Sequence, residues 1–256
     1  MAGILDKFRI DGKAAIVTGS ERGLGQGYAI ALAQAGADIL GVTYADAAPG
    51  TAEAVAAAGR KYVHLKADLI GQKAIPEIVA TAVRELGGVD ILVNNAGIIL
   101  RNDSVDFTER QWDDVMNINL KTVFFLSQAV ARRMIEQGRG GKIINVASML
   151  SFQGGIRVPS YTASKSGVKG ITMLMANEWA KHGICANAIA PGYMATDNTA
   201  PLRADEQRSA EILGRIPAGR WGTPDDVAGA VVFLASPASD YVNGYTLAVD
   251  GGWLAR

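Results

Sequence analysis

Residues 14–25 read AAIVTGSERGLG, an apolar run that passes directly into a turn rich in glycine. The glycines are Gly19, Gly23 and Gly25, and a helical pattern follows them. Glycine lets a backbone turn tightly and approach a phosphate, and the start of a helix offers free N–H groups to an anion. The stretch therefore predicts a strand, a turn and a helix that bind a dinucleotide pyrophosphate. Its spacing, G-x3-G-x-G, differs from the usual G-x-G-x-x-G, so taken alone it would also fit a methyltransferase or a structural turn.

The rest of the chain repeats this alternation of short apolar runs and longer helical patterns. Such alternation is typical of a parallel sheet, and strands that are apolar almost throughout indicate helices on both faces. No linker or internal repeat divides the chain, so we predict one domain, residues 1–256, with an α/β, Rossmann-type, doubly wound parallel sheet. The predicted strands are residues 14–18, 38–42, 62–67, 91–94, 142–147, 185–190 and 246–249, and the predicted helices are residues 24–35, 51–58, 74–86, 109–136, 161–181 and 224–235.

The composition argues against several classes of protein. The 256 residues include 25 Lys and Arg and 25 Asp and Glu, so the formal net charge is zero. We therefore expect no nucleic-acid partner and no membrane partner, because a neutral chain has no overall field that gathers polyanions and no apolar stretch here is long enough to span a bilayer. Charges near the amino terminus interrupt any signal-peptide core, and the single cysteine, Cys185, cannot form an intrachain disulfide. We expect a cytoplasmic protein with Cys185 packed in its interior, and no metal site, since the two histidines, His64 and His182, are far apart.

One segment departs from the alternation. Residues 192–220 are polar, rich in turn formers and carry a short helical pattern. Insertions of this size in compact domains are usually lids or binding loops. We predict a substrate lid at about residues 192–220, with an ordinary surface excursion as the alternative.

Two further signatures follow strands of the predicted sheet. Asn94, Asn95, Ala96 and Gly97 end the fourth strand, where the Asn side chains are expected to brace neighbouring loops and Gly97 to let the backbone approach a ribose or nicotinamide. Asp68 follows the third strand, where it would accept a hydrogen bond from an adenine amino group or else cap the helix that begins near residue 72. Both signatures lie at the carboxyl edge of the sheet, which is where parallel sheets bind ligands.

A candidate acid/base residue stands at the start of a helical pattern. Tyr161 and Lys165 are four residues apart, so they project from one face of the helix. An ammonium near a phenol stabilises the phenolate and lowers its pKa, so Tyr161 is expected to act as an acid or base. Ser148 closes a strand thirteen residues earlier, and its hydroxyl would hydrogen-bond a substrate carbonyl. Each residue is ordinary on its own, but together they predict carbonyl chemistry.

With these signatures in this order, essentially the whole chain resembles the short-chain dehydrogenase/reductase family. The resemblance implies hydride transfer with a nicotinamide cofactor, in which Tyr161 is the general acid/base, Lys165 binds the nicotinamide ribose and depresses the tyrosine pKa, and Ser148 orients the carbonyl. Asn119, rather than the neighbouring Asn117, would anchor a water that relays the proton toward Lys165. The motifs that carry the resemblance are TGSERGLG at 18–25, NNAG at 94–97, MNINLKTVFF at 116–125, Ser148, Tyr161 with Lys165, and PGYMAT at 191–196.

The resemblance also implies a cofactor site and an assembly. The protein is expected to be a homotetramer, as relatives commonly are, with Trp253 and Arg256 of the carboxyl-terminal tail packing on a neighbour. The cofactor-binding residues are expected to be Gly19, Ser20, Glu21, Arg22, Gly23, Leu24, Gly25, Thr43, Asp68, Leu69, Asn95, Ala96, Gly97, Tyr161, Lys165, Pro191, Gly192, Met194 and Thr196.

Residues near the second strand bear on the choice between NAD and NADP. A carboxylate after this strand favours the free 2′-hydroxyl of NAD, and a nearby arginine accommodates the 2′-phosphate of NADP. Thr43 occupies the place where many NAD-preferring relatives have an acid, and Arg22 looks like an NADP-type residue. Against NADP, the next ionisable group is Asp46, no Arg or Lys follows until Arg60, and Glu21 stands beside Arg22 to neutralise it. We predict NAD, with NADP as the open alternative.

The sequence around the catalytic pair points to a substrate class. SMLSFQGGIRVPSYTASKSG, residues 148–167, is similar to members of the family that oxidise and reduce six-carbon sugar acids in uronate catabolism, during pectin or alginate breakdown. A carboxylate pairs best with a guanidinium, so Arg101, Arg157 and Arg203, with Arg208 as a further lid arginine, are candidates for the sugar-acid carboxylate. The candidates for its hydroxyls are Gln153, Tyr193 and Asn198.

Two other functions remain open. An NADPH-dependent 3-oxoacyl carrier-protein reductase would need an apolar slot and a basic docking patch, and the polar, arginine-bearing segment at 192–220 argues mildly against it. A dinucleotide-binding regulator that has lost turnover would have no need of Ser148, Tyr161, Lys165 and Asn119, all of which are present.

Overall fold

A computed structural model describes residues 3–256 and contains the predicted α/β sandwich. Its seven strands form one sheet in the order β3-β2-β1-β4-β5-β6-β7, and every neighbouring pair is parallel. The strands are β1 (Ala14–Thr18), β2 (Asp38–Thr43), β3 (Tyr62–Lys66), β4 (Ile91–Asn94), β5 (Gly141–Val146), β6 (Ile184–Pro191) and β7 (Thr246–Val249). The helices are α1 (Gly23–Gln34), α2 (Pro49–Ala57), α3 (Ile75–Leu86), α4 (Glu109–Met116), α5 (Val123–Gln137), α6 (Pro159–Trp179), α7 (Ala200–Ala204), α8 (Glu206–Arg215) and α9 (Ala228–Ala235).

Both faces of the sheet are apolar because helices cover both. Successive residues of a strand point to opposite faces, so Val17 packs with Leu32 of α1 and Val231 of α9, whereas Ile16 packs with Ile78 of α3 on the other side. All five residues of β1 are buried. Two-sided burial explains why the central strands read as apolar runs without polar alternation.

The direction in which the sheet is built reverses between β1 and β4. From β1 the chain first adds β2 and β3 on one side and then crosses to β4 on the other, with Ala15 paired to Ile91 and Val17 to Val93. The loops that leave the carboxyl ends of β1 and β4 therefore run apart and leave a crevice, which is where open α/β sheets bind ligands.

The structure corrects two element predictions. The helix predicted over residues 109–136 is interrupted by a π-helical turn at Asn117–Thr122, which separates α4 from α5. The helix predicted over residues 224–235 begins as a 3-10 turn, Pro224–Val227, before α9. Both interruptions preserve the apolar period of a helix, so the sequence pattern does not reveal them.

The segment at 192–220 contains more helix than its sequence pattern suggests. It holds the 3-10 turn Asp197–Thr199, then α7 and α8, where one short helix was expected. A bridge between Met194 and Gly222 closes its base beside β6. In the stretch from residue 3 to residue 256, no helix has the length and apolar character needed to cross a membrane.

Candidate active site

The turn after β1 depends on glycine for its shape. Gly19 and Gly23 have φ values of +66° and +58°, a region that other residues rarely adopt. A Cβ atom on Gly25 would lie 1.9 Å from the carbonyl oxygen of Gly19 and 2.4 Å from Nδ2 of Asn95. The first turn of α1 therefore packs directly on the loop that precedes it, and no side chain fits between them.

The amino end of α1 is open to a ligand. Its capping residue, Arg22, places no side chain on the free N–H groups of the first turn. Unsatisfied N–H groups and the positive end of the helix dipole suit an anion. Together with the glycine cradle, this end of the helix fits the pyrophosphate of a dinucleotide.

The loop after β4 is braced against the glycine turn, as the sequence predicts. Asn95 Nδ2 donates to the carbonyl oxygens of Thr18 and Gly19 at 2.9 and 3.1 Å. The Thr18 hydroxyl accepts from the backbone N–H groups of Asn95 and Ala96, both at 3.0 Å. These four hydrogen bonds fix the two walls of the crevice relative to each other.

A buried polar network supports the floor of the site. Asn94 Nδ2 donates to Ser127 Oγ at 2.9 Å and to Asn145 Oδ1 at 2.8 Å. Asn145 in turn donates to Thr172 Oγ1 of α6 at 2.9 Å. A satisfied network of this kind holds β4, β5 and α6 in one arrangement, since any change of position would leave buried polar groups unpaired.

Tyr161 and Lys165 lie one turn apart on α6 and face the crevice. The Lys165 ammonium nitrogen is 5.6 Å from the centre of the Tyr161 ring and donates a hydrogen bond to the carbonyl oxygen of Val146 at the end of β5. Lys165 is only 4% exposed, so this carbonyl is important in balancing its charge.

The ionisation of this pair differs from the sequence prediction. Burial raises the pKa of the Tyr161 phenol, while the Ser148 hydroxyl and the Arg101 guanidinium each lower it, and the net direction is upward. Burial lowers the pKa of Lys165 to about 8. The groups that lower the Tyr161 pKa in this structure are Ser148 and Arg101, and the Lys165 ammonium is directed to Val146, so the lowering by Lys165 stays a prediction.

Ser148 and Asn119 occupy buried positions beside this pair. Ser148 is 7% exposed and accepts a hydrogen bond from the backbone N–H of Leu150. Its hydroxyl also lowers the pKa of the Tyr161 phenol. Asn119 is fully buried in the π-helical turn, where its Oδ1 accepts from Ile98 N and its Nδ2 donates to Ile98 O, both at 2.9 Å. Its side chain therefore holds the loop segment that follows Gly97.

A cavity of about 530 Å³ runs from the glycine turn to Tyr161. Its lining includes the glycine turn at the open end of α1, the loop after β4 and the catalytic pair, as expected for a dinucleotide site. The residues predicted to bind the cofactor that line this cavity are Gly19, Glu21, Arg22, Gly23, Leu24, Gly25, Asp68, Leu69, Asn95, Ala96, Gly97, Tyr161, Lys165 and Thr196.

Five residues predicted to bind the cofactor do not line the cavity. Ser20 is fully buried beneath the glycine turn, where its Oγ lies 3.4 Å from the Tyr62 hydroxyl. Thr43 turns inward and hydrogen-bonds His64 Nε2 at 2.7 Å and the carbonyl of Ala45 at 2.9 Å. The other three lie at the end of β6 and in the segment after it, and they are Pro191, Gly192 and Met194. Met194 packs beneath Gly222.

Asp68 does not cap the helical turn that follows it. Its Oδ1 accepts from the backbone N–H of Ile70 at 2.9 Å, which closes a local turn, and the residue that precedes the helical turn at 72–74 is Gly71. Asp68 lines the cavity, so its prediction as a neighbour of the adenine stays open.

The charges around the cavity mouth are paired differently from the sequence prediction. Arg22 forms an ion pair with Asp197, 2.9 Å apart, and Glu21 is not its partner. Asp46 is paired with Lys66, which stands at the end of β3 beside the end of β2. The prediction that no basic residue lies near this end of β2 before Arg60 is therefore wrong, because strand pairing brings Lys66 there.

Of the residues predicted to bind substrate, the structure places Arg101 and Asn198 on the cavity. Arg101 donates to the carbonyl oxygen of Asn198 at 3.1 Å and forms no ion pair with any residue between 3 and 256. Its charge lowers the pKa of Tyr161, so it lies within electrostatic reach of the phenol.

The other predicted substrate residues do not line the cavity and have partners within the protein. Arg157 forms an exposed ion pair with Asp103 at 3.0 Å, and Arg203 donates to the carbonyl of Thr196. Gln153 Oε1 accepts from Trp253 Nε1 at 3.1 Å.

Tyr193 belongs to an aromatic cluster, with its ring centre 4.8 Å from that of Trp253 and 5.5 Å from that of Trp221. The carboxyl-terminal tail packs within its own chain. Trp253 is 4% exposed, and Arg256 donates to the carbonyl oxygens of Gly214 and Arg215. The expectation that this tail packs on a neighbouring subunit stays a prediction, and within its own chain the Trp253 ring is already covered.

Several cavity residues escaped the sequence analysis. Tyr44 lines the cavity in the place expected for Thr43, and the alternation of side chains along β2 would have indicated it. Asp197 and Thr199 flank the predicted Asn198, and the apolar wall includes Ile98, Ile99 and Ile118.

Within the described residues no cluster of His, Cys, Asp and Glu could hold a metal ion. Cys185 is buried, and its Sγ lies 3.5 Å from the carbonyl oxygen of Asp240, as expected for a packed thiol.

Comparison with known proteins agrees with the fold and shows the family. A family model described as enoyl-(acyl carrier protein) reductase matches residues 18–254. The chain belongs to the short-chain dehydrogenase/reductase family. The 2-dehydro-3-deoxy-D-gluconate 5-dehydrogenase of Escherichia coli K12 is 66% identical over 253 residues, covering 99% of this chain and 100% of that protein. The enzyme of the same name from Bacillus subtilis 168 is 54% identical over 98% of both chains.

A solved structure of the family also superimposes on the whole chain. The gluconate 5-dehydrogenase of Burkholderia cenocepacia J2315, in complex with NADP and tartrate, is 41% identical with a TM-score of 0.94, covering 99% of this chain and all of that one. As a short-chain dehydrogenase/reductase, the protein is an oxidoreductase that acts on CH–OH groups and uses a nicotinamide cofactor.

Proposed function

We propose that the protein is an NAD-dependent dehydrogenase that interconverts a secondary alcohol and a ketone on a six-carbon sugar acid of the 2-dehydro-3-deoxy-D-gluconate type. The observation that carries this proposal is the position of Arg101, a guanidinium without a carboxylate partner in residues 3–256, on the same cavity as the buried Tyr161 phenol. A guanidinium beside the acid/base residue suits a substrate that is itself a carboxylate. The names of the relatives agree with this substrate class.

In this proposal Tyr161 transfers the proton at the substrate oxygen. When bound, the nicotinamide supplies the hydride acceptor for alcohol oxidation and the donor for ketone reduction. In reduction, the protonated phenol gives its proton to the developing alkoxide, and its raised pKa keeps it protonated until that moment. Ser148 donates a hydrogen bond to the same oxygen and so orients the carbonyl toward the proton.

Lys165 and Asn119 position the acid/base residue. The buried Lys165 ammonium stabilises negative charge on the phenol and holds a ribose hydroxyl, while its bond to Val146 O fixes its direction. Asn119 holds the backbone of Ile98 and thereby the wall beyond Gly97, and the π-helical turn around it leaves main-chain carbonyls for a water that passes the proton on.

The glycine turn and the loop after β4 would bind the dinucleotide. The open first turn of α1 takes the pyrophosphate, and Gly97, which faces the Asn119 side chain, lets the nicotinamide end approach the backbone. Asp68 and Leu69 stand at the adenine end, and Thr196 lies against Gly23 on the opposite side of the pyrophosphate.

The segment at 192–220 would act as the lid. Its residues Thr196–Asn198 border the cavity and are held by three arginines from different parts of the chain. Arg22 binds the carboxylate of Asp197, Arg101 the carbonyl of Asn198, and Arg203 the carbonyl of Thr196. Exposed contacts of this kind are each worth about 1 kcal/mol or less, so the segment can open when ligands exchange.

Three expectations about context belong to the same proposal. A sugar acid of this type arises in pectin or alginate breakdown, and the protein would act in the cytoplasm. The assembly would be a homotetramer, as is common in the family.

The experiment that tests the proposed roles compares the wild-type protein with Tyr161→Phe. Oxidation of 2-dehydro-3-deoxy-D-gluconate is followed by the appearance of NADH, and binding of NADH is measured separately by its fluorescence. The variant is expected to lose nearly all turnover and to bind NADH with the affinity of the wild type. Substantial turnover by the variant would overturn the role of Tyr161.

A further inference from the structure

One carboxylate in the glycine turn has no partner in the described chain. Oε2 of Glu21 is fully buried, and none of residues 3–256 donates a hydrogen bond to it. The neighbouring Arg22 binds Asp197 instead. A buried carboxylate oxygen without a donor is costly, and native proteins rarely keep one unless a ligand or water supplies the hydrogen bond.

Glu21 stands beside the carboxyl end of β2. It lines the cavity together with Val42 and Tyr44 of that strand end. The Tyr62 hydroxyl lies close by, 3.4 Å from Ser20 Oγ. Burial raises the pKa of this phenol, the hydrogen bond with Ser20 lowers it, and the charge of Glu21 raises it. The Glu21 carboxylate is therefore at the end of the cavity farther from Tyr161, where the end of β2 meets the glycine turn.

In the usual Rossmann arrangement, the acceptor for the ribose 2′-hydroxyl is a carboxylate that follows β2. Thr43 holds that place here, but the residue is 1% exposed and its hydroxyl is hydrogen-bonded to His64 and Ala45. Asp46, the next acid along the chain, is paired with Lys66 and does not line the cavity. The strand end thus offers no carboxylate to the cavity, and Glu21 brings one from the glycine turn.

We propose that Glu21 accepts a hydrogen bond from the 2′-hydroxyl of the adenosine ribose and repels a 2′-phosphate, so that it is the residue that sets a preference for NAD over NADP. This inference rests on the proposed function, because it needs a nicotinamide dinucleotide in the cavity. The glycine turn, and not the end of β2, would then distinguish NAD from NADP.

The basic residues nearby do not cancel this charge. Arg22 is neutralised by Asp197 at 2.9 Å, and Lys66 by Asp46. A 2′-phosphate would therefore meet the uncompensated carboxylate of Glu21 and would have to break an ion pair to recruit a cation.

The test measures the dissociation constants of NADH and NADPH for the full-length protein by calorimetry, without substrate. The variants are Glu21→Gln, which keeps the shape of the side chain and removes its charge, and Glu21→Asp, which keeps the charge and shortens the reach. Glu53→Gln is the matched control, since Glu53 is an exposed glutamate of the nearby α2 outside the cavity. Thermal unfolding of each variant reports whether it is folded.

The wild type is expected to bind NADH more tightly than NADPH. In Glu21→Gln the ratio of the two dissociation constants should fall by roughly tenfold or more, through weaker NADH and tighter NADPH binding. Glu21→Asp should weaken NADH binding and still bind NADPH poorly, and Glu53→Gln should match the wild type.

A wild type that prefers NADPH, or a ratio in folded Glu21→Gln within about twofold of the wild-type ratio, would overturn the proposal. Both results concern binding alone. A protein that binds NADH as described but does not turn over sugar acids would contradict the proposed function and leave the role of Glu21 standing.

Discussion

Lys165 and Val146 form the contact that ties the catalytic helix to the sheet. The ammonium of Lys165, on α6, donates to the carbonyl oxygen of Val146 at the end of β5, while lying 5.6 Å from the centre of the Tyr161 ring. One buried cation therefore serves both as a structural anchor and as the nearest positive charge on α6 to the phenol. Its ionisation should control activity and stability in opposite directions.

The pH dependence of carbonyl reduction should report this cation. Burial lowers the Lys165 pKa to about 8 and raises that of Tyr161, so the ammonium is lost before the phenol. We expect kcat for reduction to be flat at lower pH and to decline as pH rises through about 8, in stopped-flow or steady-state measurements at saturating cofactor. A profile that stays flat to pH values well above that point would contradict the assignment.

Replacing this lysine should stabilise the protein while abolishing its activity. Because the folded-state pKa of about 8 lies below the ordinary lysine value of 10.5, the unfolded chain binds more protons between those pH values. The penalty for burying the ammonium is therefore full below pH 8 and fades as pH rises toward 10.5.

Lys165→Met removes this penalty, and its free energy of unfolding at neutral pH should exceed that of the wild type by about 2 kcal/mol. Denaturant unfolding of the cofactor-free protein measures the difference. A variant less stable than the wild type at neutral pH would show that the hydrogen bond to Val146 outweighs the cost of burial.

The role of Arg101 can be separated from that of the cofactor site. Arg101→Met should raise the KM for the sugar acid by roughly tenfold to a hundredfold, because it removes a charge-assisted hydrogen bond to the carboxylate. The dissociation constant of NADH should stay unchanged. Arg110→Met, which alters an exposed arginine of α4 that is 92% accessible in its side chain, is the matched control. Equal KM values for the two variants would remove Arg101 from the substrate site.

The packing of the glycine turn makes a stability prediction. Gly25→Ala would place a methyl group 1.9 Å from the carbonyl oxygen of Gly19, so the turn or α1 has to shift. We expect a loss of about 3 kcal/mol in the free energy of unfolding, together with loss of NADH binding. Gly170→Ala is the control, because Gly170 is exposed in α6 with nothing within 4 Å of its added Cβ, and it should be neutral or slightly stabilising.

Much of the fold could be predicted because both faces of the sheet are buried. Strands β1, β4 and β7 have the predicted bounds, and the predicted glycine turn has positive φ values at Gly19 and Gly23. The π-helical turn at Asn117–Thr122 was missed, since apolar spacing does not distinguish a wider turn from an α-helix.

Charge pairing could not be predicted in the same way. Arg22 and Asp197 are 175 residues apart, and Lys66 reaches Asp46 only because β2 and β3 are paired. The sequence analysis therefore assigned Glu21 to Arg22, its nearest neighbour along the chain, and expected the end of β2 to be free of cations. Thr43 was placed on the cavity and Tyr44 was overlooked because the position of the acid in related proteins was followed, although the alternation of side chains along β2 indicates Tyr44.

The most direct test of the proposed function compares two substrates and two cofactors in one assay. Oxidation of NADH and of NADPH is followed with the diketo sugar acid derived from unsaturated uronates and, separately, with an acetoacetyl thioester. The account predicts turnover of the sugar acid with NADH in preference to NADPH, and little turnover of the thioester. Turnover of the thioester with NADPH alone would contradict it and identify the protein as an acyl reductase.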